Sequence, residues 1–314
     1  MGVIDWIGSG IKAVRNAISG GIKAIGSKIA SGVSSAISTL GNLATKAAGS
    51  FLGKVVGKAA SFLGMASKVI GSTLGPVVGP IIIPILVELV VGYIVEKIVS
   101  KLAEESGVVE KGEKTEEIGY RLEEAQEHED WKRREDFSSF KEYYSYLKEE
   151  IPAEKINQEK IKQNEYFYSM LGMEAEIEAI EEKFGIKIPR NSLIVMGKCK
   201  MELKEVQAFL RAFNKLGYIN LNISEYLQGR LAAGELERIT AAVMDALKLY
   251  YPDKTESGLL TRLTQMRRAS NDDKVVFSLY KDEFQEKYGE AIKISQQNGE
   301  LPPEAEKLLT EVQK

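Results

Sequence analysis

The sequence predicts an all-α protein, and three observations carry that prediction. Apolar residues from Ile4 to Leu40 recur in ten steps over 36 positions, a mean spacing of 3.6 residues, which is the α-helical period. A second apolar run, Val69–Val95, contains a single charged residue and is long enough for one long helix. Only Gly185–Met201 has the composition of a β-strand, and we expect it to join two helical units.

Composition and periodicity divide the chain into five segments. We predict an amphipathic arm rich in Gly, Ile and Lys (1–48), a hydrophobic helical hairpin (49–105), a linker (106–119), a charged helical region rich in aromatic residues (120–190) and a C-terminal helical bundle domain (191–314).

The charge is distributed unevenly along the chain. The first 87 residues carry eight basic side chains and one acidic side chain, a net charge of +7, whereas the whole chain has a net charge of −3. The remaining residues therefore sum to −10. Such asymmetry predicts a basic arm with an anionic partner, which could be lipid headgroups, nucleic acid or the acidic part of this chain.

The arm has the composition of a helix that lies in a membrane interface, because a narrow Ile stripe is surrounded by Gly, Ser, Ala and Lys. Gly20-Gly21, Gly32 and Gly41 predict breaks into short helices, since each glycine costs about 1 kcal/mol of helix stability relative to alanine. The expected lipid contacts are Ile4, Trp6, Ile7, Ile11, Ile18, Ile22, Ile25 and Ile29, with Lys12, Arg15, Lys23 and Lys28 at anionic headgroups.

The next segment is predicted to form a hairpin of two apolar helices, Lys54–Leu74 and Ile81–Leu102. Three prolines four residues apart predict a break at Gly75–Pro80, because each proline removes a helix donor. The uncharged length suffices to cross a bilayer. The alternative interpretation is a core helix of a soluble bundle. The expected membrane contacts in this segment are Phe51, Phe62, Ile81, Ile82 and Ile83.

Two features of the hairpin suggest specific roles. Glycines at four-residue spacing place small residues on one helix face and predict close helix packing and oligomerisation; they are Gly49, Gly53, Gly57, Gly71, Gly75 and Gly79. Glu88 is the one acidic residue in the apolar run. A carboxylate inside a bilayer is unfavourable unless it is protonated or paired, so Glu88 is the candidate pH sensor.

The second half of the chain is predicted to be helical and to contact protein partners. Phe137, Phe140, Tyr144, Leu147 and Ile151 follow a heptad-like seam. The surrounding negative charge disfavours nucleic acid as a partner. Further helices are predicted from Leu203 to Phe213, over Glu235–Tyr250 and over Ser257–Ala269.

The sequence contains no recognisable catalytic or cofactor-binding pattern, so we predict a protein that is not an enzyme and has no cofactor or metal. Its one cysteine, Cys199, and one histidine, His128, exclude an intrachain disulfide and a Cys/His zinc site. No phosphate-binding loop, dinucleotide fingerprint or hydrolase elbow is present. The first residues also lack the pattern of a cleavable signal peptide.

Two resemblances accompany these patterns. Residues 3–100 resemble the amphipathic N-terminal helices of penetration and minor capsid proteins of non-enveloped viruses, such as the orbivirus outer-capsid penetration protein. This resemblance implies a virion component that acts on a host membrane. Residues 203–265 resemble the peptidoglycan-binding three-helix fold through Val206-Gln207, Leu210, Leu216-Gly217-Tyr218, Thr240 to Ala246, Gly258-Leu259-Leu260 and Leu263, but Gln228-Gly229-Arg230 replaces the usual turn motif.

These observations support three functional hypotheses. The first is a membrane-penetrating or pore-forming protein, held in a soluble or assembled oligomer within a virion or other particle and inserted on a trigger. The second is a secreted or injected bacterial pore-forming toxin with a C-terminal module for a cell wall or receptor. The third is a non-membrane scaffold protein whose basic arm contacts partner subunits.

Overall fold

The computed structural model of the chain describes residues 21–313, and these residues form an all-α fold, as predicted. Within this range the nearest approach to β structure is one isolated bridge between Lys187 and Asn220. The α-helices are α1 (Gly21–Lys46), α2 (Phe51–Val69), α3 (Gly75–Tyr93), α4 (Ser100–Ser106), α5 (Thr115–Glu127), α6 (Phe140–Glu150), α7 (Gln158–Gln163), α8 (Glu165–Phe184), α9 (Arg190–Lys198), α10 (Leu203–Lys215), α11 (Ile223–Leu227), α12 (Ala233–Tyr250), α13 (Glu256–Asn271), α14 (Asp273–Leu279), α15 (Lys281–Gln297) and α16 (Pro303–Gln313).

The described residues divide into two compact units, each assembled from separate parts of the chain. The first unit contains Ile29–Met65 and Val95–Gly185. The second unit contains residues 21–28, Ala66–Ile94 and residues 186–313. Each unit therefore draws residues from several of the five segments that the sequence predicts.

The first unit is organised by the crossing of α5 and α8, where glycine permits close backbone approach. A Cβ atom on Gly119 would overlap the carbonyl oxygen of Tyr168, and one on Gly172 would overlap the carbonyl oxygen of Thr115. The predicted seam of α6 also lies in this unit. Four of its members are buried, namely Phe140, Tyr144, Leu147 and Ile151.

The second unit is organised by the contact between α3 and α9. A Cβ atom on Gly197 would lie 2.6 Å from Cγ1 of Ile94 and 2.9 Å from Cγ1 of Val90, so only glycine fits at this crossing. The Tyr280 hydroxyl donates a 2.7 Å hydrogen bond to the Gly197 carbonyl oxygen from the other side. These contacts hold a short helix tightly against the apolar run.

The C-terminal helices agree closely with the sequence pattern. The predicted helices Glu235–Tyr250 and Ser257–Ala269 correspond to α12 and α13, and each observed helix is two or three residues longer. Helix α10 buries Val206, Phe209 and Phe213, as the pattern predicts. Gly217 follows α10 with φ of +78° and so supplies the predicted left-handed end.

The predicted strand is wrong, because Arg190–Lys198 forms helix α9. Leu193, Ile194, Val195 and Met196 are all at most 1% exposed. A short run that is buried on every side shows no polar face, so its periodicity cannot distinguish a strand from a helix.

The predicted breaks at Gly32 and Gly41 are also wrong, since α1 continues through both glycines. At the third predicted break, Gly20-Gly21, α1 begins at Gly21, whose φ is +66°. The apolar stripe stabilises the helix: Ile22, Ile25 and Leu40 are completely buried. This burial is worth about 1.5–3 kcal/mol per side chain and outweighs about 1 kcal/mol lost at each glycine.

The two apolar helices of the predicted hairpin are present as α2 and α3, and the turn between them lies earlier than Gly75–Pro80. Helix α2 ends at Val69 and α3 begins at Gly75, with Pro76 in its first turn and Pro80 and Pro84 inside it. Proline is tolerated in a first turn because that N–H has no helical partner. Pro76 and Pro80 are exposed, so the carbonyl groups that lose their helical donors lie on a side of α3 that water can reach. The predicted linker is likewise shorter, because α5 already begins at Thr115.

We predict that Gly172→Ala destabilises the first unit by about 3 kcal/mol, because a methyl group there meets a backbone carbonyl that cannot move without separating α5 from α8. Urea unfolding followed by circular dichroism measures the change.

The matched control is Gly57→Ala in α2, where a Cβ atom would meet nothing within 4 Å. This variant is expected to gain up to about 1 kcal/mol, because alanine is the better helix former. Equal effects of the two substitutions would show that the α5–α8 crossing is not tightly packed.

Candidate functional site: an apolar helix and its polar restraints

The candidate site is the long helical run that begins in α3. Val78–Ser106 forms 29 residues of continuous helix, passing through a π-helical segment at Ile94–Val99. The mean hydropathy of its most apolar window is 2.3, and 78% of that window is buried. It is the one helix among residues 21–313 that is long and apolar enough to cross a membrane. A buried core helix passes the same test.

The structure places the predicted membrane contacts inside the protein. Ile22, Ile25, Phe62, Ile81 and Ile82 are at most 5% exposed, whereas Ile29, Phe51 and Ile83 are half-buried. The predicted headgroup contacts Lys23 and Lys28 are exposed. The remaining predicted contacts lie outside the described residues, namely Ile4, Trp6, Ile7, Ile11, Lys12, Arg15 and Ile18.

The predicted glycine faces do not form a contact between long helices in this structure. Gly49, Gly57 and Gly75 have open space where a Cβ atom would lie, and Gly53 meets the nearby carbonyl of Ala47. Gly71 and Gly79 contact only Ile83, within the local turn between α2 and α3. The glycines that do permit close approach to another helix include Gly26, Gly119, Gly172 and Gly197, which lie outside the predicted spacing.

A buried ion pair holds the α2–α3 turn. The Lys198 ammonium lies 3.0 Å from Oδ1 of Asp273, and these side chains are 3% and 0% exposed. The Thr73 N–H and hydroxyl each donate a 2.8 Å hydrogen bond to Oδ2 of Asp273. The Asp273 N–H donates in return to the Thr73 hydroxyl at 2.9 Å. We call Thr73, Lys198 and Asp273 the turn clamp.

Electrostatics keep the clamp intact over a wide pH range. Burial raises the pKa of the Asp273 carboxyl, but the Lys198 ammonium and the Thr73 donors outweigh burial, so this pKa lies below its usual value. A carboxyl with a lowered pKa stabilises the fold above its unfolded pKa and loses that contribution only as the pH falls through the lower folded pKa. Moderate acid therefore leaves the clamp charged.

Glu88 lies buried on α3, as a candidate pH sensor must. Burial raises the pKa of its carboxyl to about 7, and the Lys287 ammonium and Tyr288 hydroxyl offset only part of this effect. Because the folded pKa exceeds the unfolded value of 4.5, the folded state binds the proton more tightly. Stability therefore falls as the pH rises from about 4.5 to about 7. Protonation of Glu88 therefore stabilises the fold.

The one cysteine and the one histidine of the sequence each make a structural contact. Burial raises the pKa of the Cys199 thiol to about 12, and the thiol donates to the Met266 carbonyl oxygen at 3.1 Å. The exposed His128 ring stacks on Trp131 with the ring centroids 4.0 Å apart. Across the part of the chain that the structure describes, no cluster of three or more His, Cys, Asp or Glu side chains could hold a metal ion.

Sequence reasoning did not find the turn clamp. Thr73 and Asp273 are separated by 200 positions; Thr73 lies in the apolar run Val69–Val95, and Asp273 lies in an ordinary polar context. The one available signal was Lys198, a charged residue two positions after the apolar run Leu193–Met196. A lysine in such a run needs a buried acidic partner, but the sequence does not say which of 45 acidic residues supplies it.

No protein-family model, curated protein sequence or solved structure matches this chain. The resemblances to viral penetration proteins and to the peptidoglycan-binding fold therefore stay predictions.

We predict that Lys198→Met and Asp273→Asn each destabilise the second unit, Lys198→Met by about 3–5 kcal/mol, because removing one partner of a buried ion pair leaves the other charge uncompensated. The double variant should lose clearly less than the sum of the single losses. A double-mutant cycle by urea unfolding measures this coupling.

The exposed pair Lys248 and Glu256, at 2.9 Å, provides the control. Lys248→Met should change stability by less than about 1 kcal/mol, because water screens an exposed pair. Additive losses for Lys198→Met and Asp273→Asn would contradict the clamp.

We predict that Glu88→Gln removes a pH dependence of stability. The wild-type free energy of unfolding should fall relative to the variant by about 3 kcal/mol between pH 4.5 and pH 8, since each pKa unit corresponds to about 1.4 kcal/mol. Urea titrations of both proteins across this range measure the difference.

Glu176 provides the comparison in the first unit, because burial raises the pKa of its carboxyl to about 8. Glu176→Gln should remove a separate slope that extends to higher pH. Parallel pH curves for wild type and Glu88→Gln would show that the Glu88 carboxyl is not perturbed.

Proposed function

We propose that this chain is a membrane-active protein that stores an apolar helix inside its own fold and delivers it to a lipid bilayer after release. The observation that carries the proposal is the helical run Val78–Ser106, which combines membrane-spanning length, a mean hydropathy of 2.3 and 78% burial of its apolar window. The resemblance to viral penetration proteins extends the proposal to a component of a particle that acts on a target membrane.

Storage requires that the helix be shielded until it is needed. The completely buried Ile82, Ile85, Leu86 and Val90 already have protein neighbours in place of water. A lipid bilayer offers the same apolar side chains an equally dry environment, so transfer loses little hydrophobic stabilisation. Polar interactions around α3 oppose the transfer of this helix to lipid. On the α2–α3 turn the strongest of them is the turn clamp.

The burial also favours a second candidate function, a non-membrane structural protein in which α3 is the permanent core helix. In that case the clamp and the glycine crossing at Gly197 serve only stability. The two candidates differ in one observable, which is whether α3 enters lipid while the C-terminal helices remain in water.

We predict that a fluorescent probe on Pro80→Cys enters a bilayer when the clamp is weakened by Thr73→Val. Pro80 is exposed in the fold and lies on α3, so bilayer entry changes its surroundings completely. The measurement is quenching by brominated lipids in vesicles that contain anionic phosphatidylglycerol. Cys199 can stay, because it is buried and burial raises the pKa of its thiol.

A probe on Ser257→Cys, at the exposed start of α13, is the matched control and should not be quenched. Absence of quenching at Pro80→Cys, even when the Thr73→Val protein is warmed to just below its melting temperature, would favour the structural protein instead. Equal quenching at both positions would indicate general unfolding on lipid.

A further inference from the structure

A second candidate site lies in the C-terminal helices, away from α3. Helices α11, α12 and α13 border an open cleft of about 650 Å³. Its lining contains the apolar side chains of Leu236, Met244 and Leu260 and the polar side chains of Tyr226, Thr240 and Arg267. Leu260 is 43% exposed, so its side chain is accessible to a ligand in the cleft.

Arg267 is held in place by hydroxyl groups. One of its Nη atoms donates 3.1 Å hydrogen bonds to the Tyr226 hydroxyl and to the Thr240 hydroxyl. The Thr240 proton is committed to the Leu236 carbonyl oxygen at 2.6 Å, so Tyr226 donates to Thr240 at 3.0 Å and both oxygens accept from Arg267. The guanidinium also lies 5.1 Å from the centre of the Tyr226 ring.

This arrangement orients a guanidinium without neutralising it. No carboxylate within residues 21–313 lies within 4 Å of Arg267, whereas Arg262 on the same helix is bound by both oxygens of Glu205 at 2.8 and 2.9 Å. A guanidinium that is already oriented loses little entropy when a carboxylate binds its free N–H groups. Arg267 is therefore prepared for an anionic ligand group.

The other charged residues of the cleft lining limit which class of ligand can bind. Lys248 pairs with Glu256 at 2.9 Å, and Asp245 pairs with Lys215 at 3.5 Å. This leaves Glu237, which is exposed and has no ion-pair partner among the described residues. It precedes Thr240 by three residues on α12, a rise of about 4.5 Å along the helix axis. Among the described residues, the lining of the cleft therefore contains one cation without an ion-pair partner, Arg267, and one such anion, Glu237. Its apolar side chains belong to the same lining.

We propose that this cleft binds a small zwitterionic ligand with an apolar side chain, of the class of short peptides with free termini. The ligand carboxylate contacts Arg267, its ammonium group contacts Glu237, and its side chain packs against Leu260 and Met244. Polyanions such as nucleic acid fit poorly, because Glu237 would repel them.

The probe ligand is the dipeptide alanyl-leucine, added to the full chain with ¹³C-labelled methionine methyl groups. Met244 lines the cleft and its methyl resonance reports binding. We expect saturable shifts at millimolar dipeptide. The N-acetylated dipeptide, which lacks the cation, and the dipeptide amide, which lacks the carboxylate, should each bind about tenfold more weakly.

Arg267→Met should abolish the shift, whereas Arg268→Met, an exposed neighbour outside the cleft, should leave it unchanged. If Arg267→Met fails to fold, Glu237→Gln tests the proposal instead, because Glu237 is exposed. This variant should remove the difference in affinity between the free and the N-acetylated dipeptide. The proposal is overturned if the Met244 methyl resonance does not shift at about 20 mM dipeptide, because a dissociation constant above this concentration is too weak for a functional site. It is equally overturned if the N-acetylated dipeptide and the dipeptide amide bind as tightly as the free dipeptide. Binding that survives in Arg267→Met, or a preference for the free over the N-acetylated dipeptide that persists in Glu237→Gln, would also overturn it.

Discussion

Burial of α3 is the physical constraint on which the second unit depends. Its apolar side chains are removed from water almost completely, at about 1.5–3 kcal/mol for each large one. That stabilisation is non-directional, so it does not by itself determine where the helix ends or which neighbour it contacts. Directional interactions supply this information. Gly197 determines how closely α9 approaches, and the turn clamp determines where the α2–α3 turn lies.

Polar groups buried beside such a helix act in opposite directions as the pH changes. Burial raises the pKa of the Glu88 carboxyl, so the fold gains stability when this group takes up a proton near neutral pH. The lowered pKa of the Asp273 carboxyl has the opposite consequence, but only in strong acid. Between about pH 4.5 and pH 7 the first effect dominates, because the clamp remains charged throughout this range. Both of these groups therefore support the fold under mildly acidic conditions.

How far the sequence predicts this structure depends on the range of the interactions involved. The 3.6-residue stripe and the faces of α10, α12 and α13 are local, and the sequence predicted them correctly. Gly32, Gly41 and Pro80 have unfavourable local propensities that burial of neighbouring residues overcomes, so local rules predicted helix breaks that the structure does not have.

The sites themselves depend on long-range contacts. Nothing in the sequence distinguishes Arg262 from Arg267, although one is neutralised by Glu205 and the other is held only by hydroxyl groups. The same holds for Asp273, whose partners lie on two distant parts of the chain.

The opposing pH effects bear on how an apolar helix could be released. In the function proposed above, acid would release α3 only if protonation weakened the fold around it, yet protonation of Glu88 stabilises the fold. The same proton also lowers the cost of placing Glu88 in lipid, so acid favours both the stored and the inserted position over an exposed one. Acid alone therefore does not choose between them. In the proposed function, the position of α3, folded or inserted, then depends on an event that separates Thr73 from Asp273. The turn clamp restrains the α2–α3 turn and so distinguishes these two positions. A partner or a lipid surface that competes for the turn would release α3 most effectively when Glu88 is already protonated.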